Sequence, residues 1–379
     1  MKQIYWRPRK VSRILLFLMA VASVSGILLT EKFRIRREQP FNAEKLAAAT
    51  LAERAFSVIR RERYARGIPL ESNFDPARSG LIGPYMSSVT TVPGALLSKQ
   101  TSVNPNFAAV IVHYLKRLKI KEGDLVAVGY SGSFPALNIS VLAALQTLRL
   151  RAVIISSVGA SGFGANMENL LWVDMERILA ERHLWEYRSV AASLGGIGDQ
   201  VMGMANGGKE RIRRGILRNR LNLIETKDFT QGIVQRMEIY KKFAGDVPYK
   251  AYINVGGGTL SVGTSTGKAL YRPGLNRRPP PGALQVDSVM TRFMKNRVPL
   301  IHMVNVPKIA EAHGLPPQPR TPPVPGEGKI FSRREYNRYL ALGMLLAIIA
   351  GLFLFVRTEW GRRMLPGAGQ GGQDLEQSV

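Results

Sequence analysis

Short apolar runs alternate with helical segments through the centre of the chain, and this alternation limits the possible folds more than any other feature. The runs are rich in β-branched residues, and segments with helical periodicity separate them. This arrangement is typical of a parallel sheet with helices on both faces. The predicted strands lie at 124–129, 152–157, 189–194, 221–225, 250–255 and 299–306. The sequence therefore predicts an α/β fold with a mostly parallel sheet.

Two stretches without a charged residue lie outside this centre, at 14–30 and 339–356. Each approaches the length that crosses the hydrocarbon core of a bilayer, and neither has the polar stripe of a helix on a soluble domain. We therefore expect transmembrane helices at both ends of the α/β domain. A basic start followed by small residues also describes a cleavable signal peptide at the first stretch. The apolar run continues past the small residues to Leu29, which favours an uncleaved anchor.

Two spans would place both chain ends on the same side of a membrane. The basic residues that flank the stretches number eight on the terminal sides and eight on the central sides. The first stretch has five basic residues on its N-terminal flank and four on its C-terminal flank. The first helix usually dominates the orientation of a membrane protein. This favours cytoplasmic chain ends and an extracytoplasmic centre.

The predicted organisation follows from these stretches and from the Pro-rich segments between them. It is a basic tail at 1–13, a transmembrane helix or signal anchor at 14–30, a juxtamembrane helix and linker at 31–79, the α/β domain at 80–315, a Pro-rich linker at 316–338, a transmembrane helix at 339–356 and a disordered tail at 357–379.

Composition restricts the partners and the chemistry. Lys and Arg number 53 against 27 Asp and Glu, so the formal net charge is +26. A chain this basic is expected to meet a polyanion, but no nucleic-acid recognition motif with interleaved aromatic residues is present. The absence of cysteine excludes disulfides and thiolate chemistry. The four histidines lack metal-ligand spacing, and we expect neither a metal nor a cofactor.

Loops rich in glycine and serine follow four of the predicted strands, at 129–135, 156–166, 195–199 and 256–261. Ligands of open parallel sheets bind beyond the carboxyl ends of the strands, and glycine lets a ligand approach backbone N–H groups. Tight turns require glycine in any case, but four such loops together favour one site for a phosphate, carboxylate or sugar. The predicted ligand-binding residues are Ser131, Gly132, Ser133, Ser157, Ser161, Asn166, Asp199, Gly256, Gly257, Gly258 and Asn305.

Known catalytic motifs do not fit these loops. The segment 263–269 is one residue too short for a P-loop and has no hydroxyl residue after its lysine. Ser133 stands where a nucleophile elbow requires its second glycine. Ser131 follows a strand and is a candidate nucleophile, for which His302 is the best-placed histidine to act as base. A histidine in such a position is more often a packing residue.

Charged residues on two helical segments could serve a function or could simply form a solvated helix face. Asp174 and Glu176, together with Asp199, are candidate carboxylates for acid–base chemistry, although a solvated helix face explains the first two equally well. The segment 209–220 carries six cations around an apolar stripe, which suits either a solvated helix or a polyanion-binding face. The predicted polyanion contacts are Arg211, Arg213, Arg214 and Arg218.

An ordered series of motifs gives a more specific indication. The motifs are SKQTSVNPNFAA at 98–109, followed by VAVGYSGSFPALN, IISSVGASGFGAN, VAASLGGIGD, YINVGGG and IHMVN. This series resembles the poly-gamma-glutamate system protein family of bacteria, over roughly residues 80–320 and the N-terminal hydrophobic segment.

The resemblance implies a pathway and no particular catalytic residue. It implies an accessory protein of poly-gamma-glutamate synthesis, export or retention at the bacterial inner (cytoplasmic) membrane. The expected partners are the polymer, the membrane and other proteins of its synthesis. The polymer carries one carboxylate per residue, which suits a chain of net charge +26. The alternative is an envelope hydrolase or transferase that acts on the polymer through Ser131 and His302.

Overall fold

The computed structural model describes residues 13–201 and 204–357. These form two compact units, one of residues 39–331 and one that combines the chain before residue 39 with the chain after residue 331. Apart from residues 13 and 357, the predicted basic tail and the predicted disordered tail lie outside the described residues.

The helices and strands are numbered along the chain. The helices are α1 Arg13–Lys32, α2 Asn42–Ala65, α3 Leu96–Ser102, α4 Phe107–Arg117, α5 Pro135–Thr147, α6 Trp172–Glu181, α7 Gly208–Arg218, α8 Phe229–Ala244, α9 Thr259–Val262, α10 Thr264–Leu270, α11 Val289–Lys295, α12 Val306–His313 and α13 Arg338–Arg357. The strands are β1 Ile35–Glu38, β2 Leu125–Ser131, β3 Arg151–Ser157, β4 Asn166–Met167, β5 Leu170–Leu171, β6 Ala191–Ser193, β7 Asn222–Ile224, β8 Ala251–Val255, β9 Gly274–Asn276, β10 Leu300–Met303 and β11 Ser332–Glu335.

The main sheet of the larger unit, within the described residues, has seven strands in the order β7-β6-β3-β2-β8-β10-β9. Every neighbouring pair is parallel except β10 and β9. The predicted α/β fold with a mostly parallel sheet is therefore confirmed. From β2 the chain moves outward through β3, β6 and β7, and then returns to place β8 on the other side of β2. The strand order thus reverses between β2 and β8, which is where ligands bind in doubly wound sheets.

Helices cover both faces of this sheet. Along β2, Val126 and Val128 join the apolar core on one face, which also contains residues of α2, α4 and α5. Leu125 and Ala127 point the opposite way and join the core that contains residues of α8 and α11. Because neither face of β2 meets water, the strand reads as a continuous apolar run.

Two elements depart from the organisation expected from sequence. α2, which was expected beside a membrane, belongs to the larger unit and packs against α4 and α5. Its buried face is made largely of alanines such as Ala48 and Ala52, and small side chains let helices approach closely. The stretch at 272–282, whose prolines also predict a linker, contains β9, which pairs antiparallel with β10 at the edge of the sheet. An edge strand tolerates proline beside it because one row of its backbone groups needs no partner.

The smaller unit contains α1 and α13, which pack against each other where Gly26 meets Met344. It also contains β1 and β11, which pair antiparallel with Ile35 opposite Glu335. Arg34 lies over the ring of Tyr336 at 4.5 Å.

The expectation of transmembrane helices at 14–30 and 339–356 is wrong for the chain as far as it is described, since none of its helices combines the length and apolarity that a bilayer crossing requires. The charge-free stretches have 17 and 18 residues. At 1.5 Å per residue they reach about 26–27 Å, which is short of a hydrocarbon core of about 30 Å. The helices gain their remaining length from charged ends, such as Arg13 and Lys32 of α1.

Candidate functional site

The four glycine-rich loops lie at the same edge of the sheet and contact one another. The loop after β2 joins the loop after β3, because Gly132 N donates to Ser157 O at 2.8 Å. The loop after β8 lies against the first of these, since a Cβ added to Gly256 would stand 3.0 Å from Ser131 Cβ. The loop after β6 follows at the other side, where Gly159 N donates to Leu194 O at 2.8 Å.

A small cavity of about 20 Å³ opens between the ends of β2, β3 and β8. This volume admits about one water molecule. The cavity coincides with the point at which the strand order reverses. Its lining includes the polar side chains of Ser131, Ser157, Arg236, Tyr252, Asn254 and Ser261. The sequence predicted the first two of these residues as ligand contacts.

A buried cation stands at the wall of this cavity. Arg236 of α8 donates to Asp199 Oδ2 at 2.7 Å and to Ser193 Oγ at 2.6 Å. Ser193 Oγ in turn lies 2.8 Å from Asp199 Oδ1 and 3.2 Å from Ser157 Oγ. Because Arg236 and Asp199 are both buried, this paired charge fixes the loop after β6 against α8. Asp199 is therefore engaged in an ion pair at the site.

A second cation lies over the loop after β8. The ammonium group of Lys268 lies 3.4 Å from the position that a Cβ of Gly257 would occupy, and the lysine side chain is exposed. A Cβ added to Gly258 of the same loop would stand 4.0 Å from Ser157 Oγ. A glycine-rich turn with a lysine beside it is a suitable environment for an anion.

Ser131 and His302 do not form a catalytic pair. Ser131 Oγ accepts a hydrogen bond from Ser133 N at 3.2 Å, whereas His302 Nδ1 lies 3.0 Å from Asn254 Nδ2. The strand β8 separates β2 from β10, so the two side chains are about two strand spacings apart, or roughly 10 Å. Burial, with Lys268 nearby, lowers the pKa of His302 to about 3, which makes it a weak base.

A buried lysine that the sequence analysis did not select lies under the loops. Lys99 of α3 is 3% exposed. Its Nζ lies 2.9 Å from Ser161 Oγ, donates to Ser133 O, and stands 4.3 Å from the ring centre of Phe134. Burial lowers the pKa of Lys99 to about 7. This lysine therefore joins the loops after β2 and β3.

The remaining predicted ligand contacts have other surroundings. Ser133 Oγ accepts from Ser161 N at 3.0 Å and so helps to join two loops. Asn166 is buried and donates to Pro84 O and to Thr90 Oγ1, which is a structural contact. Asn305 follows β10 with a φ of 47° and is exposed. The structure therefore brings the serines and glycines together and leaves the two asparagines outside the cavity.

The candidate carboxylates Asp174 and Glu176 are buried and do not form a solvated helix face. Asp174 Oδ2 accepts from Leu171 N at the start of α6, and its other oxygen accepts from Arg218 at 2.8 Å. Glu176 accepts two hydrogen bonds of 2.9 Å from Ser189. Burial raises the pKa of Glu176 to about 7.

Most of the predicted polyanion contacts on α7 already have acidic partners. Arg211 pairs with Glu168 at 2.9 Å, Arg213 pairs with Glu225, and Arg218 pairs with the buried Asp174. Arg214 is exposed, and no ion pair is found for it among the described residues. Substituting all four together would therefore disturb the fold as well as the charge.

The sequence did not reveal six residues of the site, namely Lys99, Arg236, Tyr252, Asn254, Ser261 and Lys268. The burial of Arg236 could have been inferred from sequence. It lies three residues after Ile233 and four before Tyr240, and this helical spacing places it on the apolar face of α8. Lys99 stands in the motif at 98–109, and a single lysine beside polar residues looks like any surface lysine. Among the described residues no group of three His, Asp or Glu side chains could hold a metal ion.

No model of a protein family, no curated protein and no solved structure matches this chain. The resemblance of the loop motifs to the poly-gamma-glutamate system proteins therefore stays a prediction.

Proposed function

We propose that this chain is an accessory protein of poly-gamma-glutamate synthesis, export or retention, and that it holds the polymer by its carboxylates at the edge where the glycine-rich loops meet. This edge is called the loop site below. The ordered loop motifs and the net charge of +26 support the choice of polymer. The observation that carries the binding role is the position of Lys268 over the Gly256–Gly258 turn, next to the cavity where the strand order reverses.

The charges around the loop site favour an anion. Lys268 is exposed and has no ion pair among the described residues, so its charge is available to a ligand. Arg236 adds a second cation, although Asp199 balances it. Glycine backbones leave N–H groups open to close approach, and a carboxylate is a suitable acceptor for them.

The size of the cavity limits what enters it. A volume of about 20 Å³ admits about one water molecule, which is too small for a carboxylate group. We therefore propose that a single carboxylate of the polymer is recognised at the Gly256–Gly258 turn beside the cavity, while the rest of the polymer lies across the exposed rim. A polymer with one carboxylate per residue then gains affinity by repeated capture, since each exposed ion pair contributes only roughly 0–1 kcal/mol.

The test is binding of a fluorescent, γ-linked oligoglutamate to the purified full-length chain at low and high salt. Lys268→Gln should weaken binding about twofold to fivefold, which corresponds to roughly 0.4–1 kcal/mol. Lys242→Gln is the matched control, because it removes the same charge from an exposed site near the end of α8. α8 connects β7 to β8 and runs antiparallel to the strands. Lys242, near its end, therefore lies toward the edge of the sheet where the strands begin, opposite the loop site.

The proposal fails if the chain does not bind the oligomer at low salt, or if both lysine variants bind as the unaltered chain does. Equal weakening by both variants would also contradict it, because binding would then follow total charge and not the loop site. Affinity should decrease as salt increases, since counterions compete with each exposed pair.

A further inference from the structure

We propose that Lys99 and Ser161 form a base and nucleophile pair, and that this pair transfers γ-glutamyl acyl groups at the loop site. The choice of γ-glutamyl substrate rests on the function proposed above, whereas the chemistry of the pair rests on the local geometry. Ser161 was predicted as a ligand contact, and Lys99 was absent from the sequence-based site.

The two side chains are within hydrogen-bond distance and differ in exposure in the way that such a pair requires. Lys99 Nζ lies 2.9 Å from Ser161 Oγ, which is within the range for a base that removes a proton from a nucleophile. Lys99 is buried, while Ser161 is partly exposed. Ser161 therefore borders the solvent, while water is kept from most of the amine.

Burial favours the neutral amine of Lys99. The groups that face its Nζ are Ser133 O, the ring of Phe134 and Ser161 Oγ, and none of them carries a negative charge that would pair with the ammonium form. Burial is the one cause of the lowered pKa, and no charged side chain of the described residues contributes to it. A lysine whose pKa is about 7 is half deprotonated at neutral pH, and only its deprotonated form can act as a base.

The contacts of Lys99 also suit the reacting form. A neutral amine can donate one N–H to Ser133 O and still offer its lone pair to the hydroxyl proton of Ser161. A lysine that only joined the loops would need neither the lone pair nor a partly exposed serine. The two roles therefore differ in a measurable way, namely covalent modification of Ser161.

Tight packing fixes the turn that follows Ser161. Phe163, two residues later, has a φ of 63°, a region that a bulky residue seldom occupies. Its ring packs against Phe74 at 4.9 Å and Tyr85 at 5.2 Å. Gly164 passes the Ser133 backbone so closely that an added Cβ would stand 2.9 Å from Ser133 Cα. Strained turns of this kind persist where the surrounding structure fixes them, and they cluster at active sites.

The proposed step is a balanced acyl transfer. Lys99 accepts the proton of the Ser161 hydroxyl while Oγ attacks the γ-carbonyl carbon of the substrate. The new C–O bond forms, the C–N bond breaks, and the Lys99 ammonium returns the proton to the leaving amine. Water then cleaves the ester and releases the γ-carboxylate, or a second amine takes the acyl group and forms a new amide.

The test uses the full-length chain with γ-glutamyl-p-nitroanilide as the probe. Two quantities are followed between pH 6 and 9, namely release of p-nitroaniline and covalent mass on Ser161 after rapid quenching. Acylation should increase with an apparent pKa near 7 and then level off. Ser161→Ala and Lys99→Met should each reduce the rate at least about a hundredfold, in the range that a base contributes. Ser72→Ala, at an exposed serine that belongs to none of the four loops, is the control.

The unaltered chain gives a result that does not depend on whether the variants fold. If it binds the oligoglutamate of the previous section but shows no mass on Ser161 at any pH, the acyl-transfer proposal is wrong and the binding function stands. If Ser161 is acylated at the same rate in Lys99→Arg, the lysine is not the base, because arginine does not lose its proton in proteins.

Discussion

Buried Lys99 should give the folded chain a distinctive pH dependence. Its pKa is lowered from 10.5 to about 7 by burial. Between these two values the unfolded chain keeps the lysine proton and the folded chain does not. The unfolding free energy should therefore rise with pH in that window, by at most about 1.4 kcal/mol per pH unit. Below about pH 7 both states are protonated, and the contribution becomes constant.

Comparison with Lys99→Met isolates this contribution, because methionine fills a similar volume and does not titrate. Urea unfolding is measured at pH 6, 7, 8 and 9. Between pH 7 and 9, the unfolding free energy of the unaltered chain should increase by about 2–3 kcal/mol relative to that of the variant. Lys242→Met, which removes an exposed lysine, should follow the unaltered chain throughout. Parallel curves for the unaltered chain and Lys99→Met would refute the lowered pKa and with it the neutral amine.

Other buried charges give further expected outcomes. The pKa of Glu176 is raised from 4.5 to about 7 by burial, so the unfolding free energy should fall as pH rises between these values, and Glu176→Gln should flatten that slope in urea titrations. Arg236→Met should cost about 3–5 kcal/mol because it leaves Asp199 buried without its partner, and Arg236→Met with Asp199→Asn should recover part of the loss in the same measurement. A location at the bacterial cell envelope stays a prediction, and finding the chain wholly in the cytosolic fraction of cells would contradict it.

The sheet could be predicted from sequence because its signal is local. Each buried parallel strand is a short apolar run, and β3 and β8 lie within one residue of the predicted bounds. β9 was missed because it has three residues and lies beside prolines, so neither length nor composition distinguishes it from a linker. The membrane spans expected at 14–30 and 339–356 were wrong because a charge-free run that only approaches the bilayer thickness does not show whether the helix combines the length and apolarity that a crossing requires.

The candidate site was only partly predictable, for a different reason. Glycine and serine after a strand are visible in the sequence, and the topology brings those loops to one edge. The partner of a charged side chain depends on packing between elements that are far apart along the chain. Ser161 and Lys99 are separated by 62 residues, and Arg236 and Asp199 by 37. Pairing Ser131 with His302 failed for the same reason, since the intervening strand β8 is known only from the sheet order.

The most direct test of the binding function is a crystal structure of the full-length chain with a γ-linked triglutamate. We expect one carboxylate of the ligand at the Gly256–Gly258 turn, within hydrogen-bond distance of the Gly257 and Gly258 N–H groups and of Lys268 Nζ, since Gly256 N already donates to Met303 O. Density for the ligand on the exposed side of α7 or at any other surface, with the loop site empty, would contradict the account.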